Sequence, residues 1–159
     1  MKQKELSRWL RVFVVFGWVA CALLSAVIMP TVARDTAMDW PEFAHLRWPC
    51  LALFWLGMVP VVIALWHGWK IFGQIGRDNS FCEENALRLR MISLLALGDT
   101  LLCVIGAVFL LICSALHPSI LLALILIALI GLGVFVASAA LSYLTWKAAI
   151  LKEENDLTV

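Results

Sequence analysis

One acidic residue, Asp99, lies well inside a long apolar segment, in the run ALGDT. An ionisable side chain is costly in hydrocarbon, so it should face the protein interior and be paired or protonated. Ser25 and Ser138 fall at a similar predicted depth and are its candidate hydrogen-bond partners. No basic residue falls at that depth. Two interpretations stand: a proton or cation site, and a protonated carboxyl that holds helices together.

A second grouping of reactive residues falls near the ends of the apolar segments that are predicted to face outward. His45, Cys50, Cys113 and His117 could lie at one height and bind a metal, or the two cysteines could form a disulfide. Their sequence spacing lacks the short intervals of zinc sites, so coincidence at one level is the alternative. His67 lies a membrane thickness away and cannot share a haem iron with the other histidines. We expect no metal and no cofactor.

The usual signatures of enzymes do not occur in the chain. It contains no HExxH, no GxSxG and no Walker loop, and its hydroxyl and imidazole residues form no visible nucleophile–base set. The formal net charge of +1 does not favour direct nucleic-acid binding. We therefore predict that the protein is not an enzyme.

The elements that would position these residues are membrane spans. The chain of 159 residues is 64% hydrophobic and only 14% charged, whereas a soluble domain has about 45–50% apolar and about 25% charged residues. Four apolar segments are long enough to cross a bilayer as helices. The sequence predicts an all-α, single-domain bundle of four transmembrane helices, with spans at about 10–29, 50–69, 91–116 and 120–146.

The basic residues predict the orientation. Of the 12 Lys and Arg, only Arg34 and Arg47 lie outside the N-terminus, the turn between spans two and three, and the C-terminal tail. The positive-inside rule then puts both termini in the cytoplasm. A cleaved signal peptide is the alternative for the first span, but its apolar core exceeds the usual length of about 7–15 residues.

Local signals refine the loops. The run DWPE at 39–42 can start a short helix in the outer loop. Ser80 and Glu83 are spaced as a capping box, which predicts that the third helix begins at Ser80. Small residues concentrate in the last span, which favours either close packing within the bundle or a homodimer face. These are Gly131, Gly133, Ala137, Ser138 and Ala140.

Apolar and charged residues mix at the surface predicted to be cytoplasmic. Phe81, Leu157 and Val159 are apolar residues in polar stretches, which would suit a shallow groove on a partner. The alternative is that Phe81 only staples the start of a helix and that the tail is solvated. The candidate docking set also contains the neighbouring charged residues Glu83, Glu84, Arg88, Glu153, Glu154 and Asp156.

Two stretches carry a family resemblance. The run GMVPVVIALWHGWKIFGQIGRDNSFCEENALRLRMI and the terminal LKEENDLTV resemble the Domain of Unknown Function 2975 family of small four-span bacterial membrane proteins. The resemblance implies a membrane component that works with a cytoplasmic regulator, such as a small helix-turn-helix transcription protein. A small dimeric transporter with Asp99 as its coupling carboxylate is the alternative hypothesis.

Overall fold

The computed structural model describes residues 3–77 and 79–156. The described residues form long helices joined by short turns. Their bounds are Gln3–Leu23 (α1), Met29–Asp39 (α2), Arg47–Ile75 (α3), Glu83–Ile112 (α4) and Pro118–Asp156 (α5). A π-helical segment, Leu24–Ile28, joins α1 to α2, and a 3₁₀ helix, Pro41–Leu46, precedes α3. The predicted all-α class is confirmed.

Four continuous helical stretches are long and apolar enough to cross a membrane. They are Gln3–Asp39, Pro41–Ile75, Glu83–Ile112 and Pro118–Asn155. Each contains one of the four predicted spans, except that the third helix ends before residue 116. The helices pack in chain order: α1 against α3, α3 against α4, and α4 against α5. Because α1 and α5 share no extensive contact within the described ranges, the four helices form an open row.

The first helix does not stop at Pro30, as the sequence had suggested, but continues to Asp39. Proline lacks an amide hydrogen and normally interrupts the hydrogen-bond ladder. Here the preceding turn is already π-helical, with the Met29 amide donating to Leu24 O. The Thr31 hydroxyl lies 2.7 Å from Val27 O and 2.8 Å from Ile28 O. In the same register the Pro30 amide would face Ser25 O, and that carbonyl accepts the Trp55 indole N–H. The helix continues past Pro30, so the predicted outer loop is largely helical. The predicted short helix at DWPE is confirmed as the 3₁₀ segment.

The third span ends at Ile112, four residues earlier than the predicted 116. Ser114 adopts a left-handed backbone with φ of 54°. The Ala115 amide donates to Leu110 O at 3.0 Å and the Ser114 amide donates to Leu111 O at 3.0 Å. This bond pair is a Schellman motif, which satisfies the last helical carbonyls and stops the helix. The apolar composition of 113–116 concealed this end.

The α4–α5 interface is a seam of small and polar residues. The Ser142 hydroxyl donates to Ala86 O at 2.7 Å, and the Ser93 hydroxyl donates to Phe135 O at 3.2 Å. Further along, Thr100 lies against Gly131. Ala86, Ser93 and Thr100 recur every seven residues, as do Gly131, Ser138 and Thr145, and all but Gly131 are buried. Lipid supplies no hydrophobic force between helices, so close approach and hydroxyl bonds hold this pair together.

The α1–α3 interface is built differently at its two ends. The Ser7 hydroxyl donates to Phe72 O at 2.6 Å, and Trp55 donates its indole N–H to Ser25 O at 3.1 Å. Between them, the Trp18 ring packs against two rings of α3, with centroids 6.1 Å from Trp66 and 5.8 Å from Trp69. These contacts set the antiparallel register of the two helices.

Candidate functional site

We call the end of the row at which α1 begins and α5 ends the inner end, following the predicted orientation. The α3–α4 turn lies there and is held by a hydrogen-bonded network. Asn85, only 1% exposed, donates its amide to Ser80 O at 3.0 Å. Arg88 donates to Asn85 Oδ1 at 3.3 Å and forms an ion pair with Glu84 at 3.0 Å. Gln74 of α3 donates to the same carboxylate at 3.4 Å.

This network changes the role of two predicted docking residues. The Arg88 side chain is 20% exposed and its guanidinium is already bonded on two sides. Glu84 is 65% exposed, but its carboxylate accepts bonds from both flanking helices. An exposed i,i+4 ion pair adds little stability by itself, about 0.3–0.5 kcal/mol. The Gln74 hydrogen bond to Glu84 joins α3 to α4, and Arg88 holds the Glu84 carboxylate in place, so both residues serve to hold the turn.

The predicted capping box at Ser80 is wrong. The helix of the third span, α4, begins at Glu83. Its N-cap is Cys82, which has an extended conformation and makes no side-chain cap bond. The Ser80 carbonyl instead accepts the Asn85 amide, which draws the chain back over the first helical turn. The Asn85 side chain thus fixes the turn to the helix through the Ser80 carbonyl, and no side chain that the structure describes caps the first amides of the helix.

Exposed docking candidates remain on both sides of the inner end. Phe81 is 58% exposed and Glu83 is exposed beside it. On α5, Leu151 is 58% exposed, and Glu153 is exposed. Glu154 is also exposed and makes an interaction of its own. The side chain of Asp156, and Leu157 and Val159 with it, lie outside the described residues.

The last part of α5 extends past the start of α4. Ser142 lies opposite Ala86, and the groove between these helices reaches Glu83 and Trp146. The helix continues through residues 147–156, which at 1.5 Å per residue is about 15 Å further. The groove has a volume of about 450 Å³, and Arg90 and Tyr143 line it as well. The inner end thus offers a groove beside a projecting helix.

Asp99 lies at the α3–α4 interface, next to a glycine. A Cβ built on Gly57 would lie 3.1 Å from Asp99 Oδ1, so the missing side chain makes the space that the carboxyl occupies. No hydrogen bond reaches the Asp99 carboxyl from any described residue, and neither Ser25 nor Ser138 bonds to it. Pro60 lies one turn along α3 and frees the Leu56 carbonyl, because proline has no amide hydrogen to give it.

The His–Cys grouping at the outer end is not assembled into a site. Within residues 3–77 and 79–156, no three His, Cys, Asp or Glu side chains lie close enough to hold a metal ion. His45 Nδ1 lies 3.0 Å from Glu42 O, and His117 Nδ1 lies 2.8 Å from the Ser119 hydroxyl. Cys50 and Cys113 are both free thiols. Each imidazole therefore interacts within its own turn.

The small residues of the last span divide between two faces. Gly131 and Ser138 face α4, as the packing alternative requires. Gly133, Ala137 and Ala140 are exposed, and no atom would lie within 4 Å of a Cβ at Gly133. The sequence interpretation missed the matching seven-residue spacing of Ala86, Ser93 and Thr100 in α4, which would have shown which small residues face it.

The comparisons with known proteins agree with this architecture. A family described as "Protein of unknown function (DUF2975)" matches residues 31–159. The chain belongs to that family. The match begins within α2, so all of α1 lies outside it. The predicted resemblance is confirmed.

One curated relative covers nearly the whole chain. An uncharacterized membrane protein, YoaS of Bacillus subtilis (strain 168), is 22% identical over 153 residues, spanning 95% of this chain and 96% of the relative. No solved structure matches. With four helices that can span a membrane, the DUF2975 protein described here is a multi-pass membrane protein.

Proposed function

We propose that this DUF2975 protein is a non-enzymatic component of a bacterial cytoplasmic membrane that docks a regulatory protein at its inner end. Both termini lie in the cytoplasm in this proposal, as the distribution of basic residues favours. The observation that carries it is the projection of α5 about 15 Å beyond the start of α4. A helix that only spans the bilayer has no need of these extra turns.

The chemistry of the projecting surface indicates the kind of partner. Leu151 and Phe81 are each 58% exposed and supply apolar contacts. Glu83 and Glu153 are exposed carboxylates next to them. Interfaces combine apolar contacts with complementary charge, which guides the encounter. A protein with a basic surface around an apolar patch fits, and a small DNA-binding regulator is one such protein.

Charge reversal tests the surface. Glu83→Lys with Glu153→Lys should abolish co-purification of a cytoplasmic partner from crosslinked native membranes, because two attractive contacts become repulsive. Glu5→Lys is the matched control, since Glu5 is an exposed carboxylate at the same end, on α1. The proposal fails if the double variant inserts normally and retains its partner, or if Glu5→Lys releases the partner equally.

Removal of residues 156–159 tests the tail separately. The truncated protein should insert and accumulate normally, because the packed seam of α4 and α5 ends at Thr145. Partner capture, or repression of a reporter by the regulator, should be lost. Unchanged capture by the properly inserted truncated protein would limit docking to the described surface and remove the tail from it.

A second candidate function rests on Asp99. Its carboxyl occupies the space beside Gly57 without a hydrogen bond from the described residues, and intramembrane acids commonly serve protons or cations. Since the row is open, a transport path would need a second copy to close it, as in a dimeric transporter. Proton-dependent flux in liposomes that is lost in Asp99→Asn supports this alternative, and unchanged flux refutes it.

A further inference from the structure

A second groove lies at the inner end, between α1 and α3, on the opposite side of the row from the docking surface. Its volume is about 450 Å³, the same as that of the α4–α5 groove. The lining differs from that groove in charge: it contains Lys4, Arg8, Arg11, Val12, Val15 and Trp69. Among the described residues, three cations and no acidic residue line this groove. In the α4–α5 groove, the cation Arg90 is accompanied by an acidic residue, Glu83.

The three cations come from one helix face. Lys4, Arg8 and Arg11 are spaced four and three residues apart, so they lie above one another on α1. None of them forms an ion pair with any residue that the structure describes. Glu5, the acidic residue in the first turn of α1, is exposed and likewise forms none. The groove therefore concentrates uncompensated positive charge.

Arg11 is held in the groove with donors to spare. Its guanidinium carbon lies 5.1 Å from the centre of the Trp69 ring. Gly73 leaves the room for it, because a Cβ there would lie 2.7 Å from Arg11 Nη2. The buried Arg11 Nε has no hydrogen-bond partner. A buried donor without an acceptor is unfavourable, and the Arg11 side chain as a whole is partly exposed to the groove, so the site favours a neighbouring anion that accepts hydrogen bonds.

The other half of the groove is apolar. Val12 is 55% exposed and Val15 is 44% exposed, and both lie further along α1 toward its apolar middle. A soluble anion gains nothing from these side chains, whereas a lipid places its phosphate next to its acyl chains. Basic pockets between transmembrane helices are suited to anionic headgroups.

We propose that this groove binds one anionic phospholipid. Arg8 and Arg11 hold the phosphate, Lys4 adds attraction at the surface, and an acyl chain lies along Val12 and Val15. Arginine suits this role because its planar guanidinium donates two parallel hydrogen bonds to phosphate oxygens. The bound lipid would fill the space beside the Arg11 guanidinium and join α1 to the bilayer.

Native mass spectrometry of the detergent-purified full chain tests the proposal, with phosphatidylglycerol and phosphatidylcholine as the probes. The wild type should bind phosphatidylglycerol preferentially. Arg8→Gln with Arg11→Gln should weaken that binding at least about fivefold for each charge removed. Arg90→Gln is the matched control, because it removes the same charge at the same membrane end from a groove of equal volume.

Three results would overturn the proposal. The first is equal binding of the two lipids by the wild type. The second is a loss for each charge removed in the double variant that is no larger than the loss in Arg90→Gln, which removes a single charge. The third is displacement of the lipid by millimolar inorganic phosphate, which would identify a free-anion site. If the double variant does not fold, Lys4→Gln with Arg8→Gln takes its place under the same criterion, since both side chains are exposed.

Discussion

Gly131 is expected to be the position on α5 that tolerates enlargement least. A Cβ there would overlap the Thr100 hydroxyl and lie 3.6 Å from both Ala96 O and Thr100 Cβ. The Thr100 hydroxyl donates to Ala96 O at 2.8 Å, so it cannot turn away without giving up that bond. Gly131→Ala should therefore force the α4–α5 pair apart.

The size of the effect follows from two opposing terms. Overpacking a tight interface costs about 1–3 kcal/mol, while Ala is favoured over Gly inside a helix by about 1 kcal/mol. An overpacking cost of about 2 kcal/mol, less about 1 kcal/mol of helix preference, leaves a net destabilisation of about 1 kcal/mol. Gly133→Ala is the matched control, because no atom lies within 4 Å of its added carbon. It should be neutral or stabilise by up to about 1 kcal/mol.

Titration with sodium dodecyl sulfate in mixed micelles, followed by circular dichroism, measures these free energies of unfolding. Thr100→Ala removes the hydroxyl that obstructs the new methyl group, so Gly131→Ala should stabilise the protein by about 1 kcal/mol in that background, through the helix preference of Ala alone. The double-mutant cycle should give a coupling energy of about 2 kcal/mol. Equal destabilisation with and without Thr100, or equal effects at Gly131 and Gly133, would refute the packing of Gly131 on Thr100.

Three further predictions concern other parts of the chain. Asn85→Ala should lower the free energy of unfolding by about 2 kcal/mol in the same titration, because it removes the donor to the part-buried Ser80 carbonyl and one of the two acceptors of Arg88; a loss below about 0.5 kcal/mol would contradict this. Asp99→Asn should fold with little loss of thermal stability in detergent. Asp99→Leu should lose more stability, since leucine must press on Gly57. A leucine variant as stable as the wild type would show that the Asp99 side chain does not lie against α3. In intact cells, an impermeant maleimide should label Ala44→Cys but not Asn79→Cys in an otherwise cysteine-free chain, and the opposite result would reverse the orientation.

The number and positions of the helices could be predicted because lipid imposes a simple rule on the sequence. Long apolar runs must form helices that satisfy their own backbone hydrogen bonds. The short helix after Trp40 was also predictable, since Pro41 occupies a favourable first position. Asp99 could be placed facing other helices because a carboxyl is costly in lipid, and its neighbour is Gly57.

Helix ends and contacts were harder to predict, because they depend on single bonds that the pattern does not reveal. Ser114 stops α4 by adopting a left-handed backbone, although residues 113–116 are mostly apolar and carry no charge. Pro30 does not end the first helix, because the preceding turn is π-helical and the Trp55 indole N–H donates to Ser25 O. Arg11 was seen only as a topology signal, since its place over Trp69 depends on the register of α1 against α3.

The open row also determines how the protein can assemble. Each long helix packs against the one before it in the chain and does not depend on a later helix to close a ring. The interactions can therefore form one pair at a time, in the order of synthesis, without a search for distant segments. Chains with mostly local contacts fold quickly because little loop entropy must be lost before contacts form. Such an arrangement is close to the one-dimensional behaviour of repeat proteins, in which stability is a sum over neighbouring pairs.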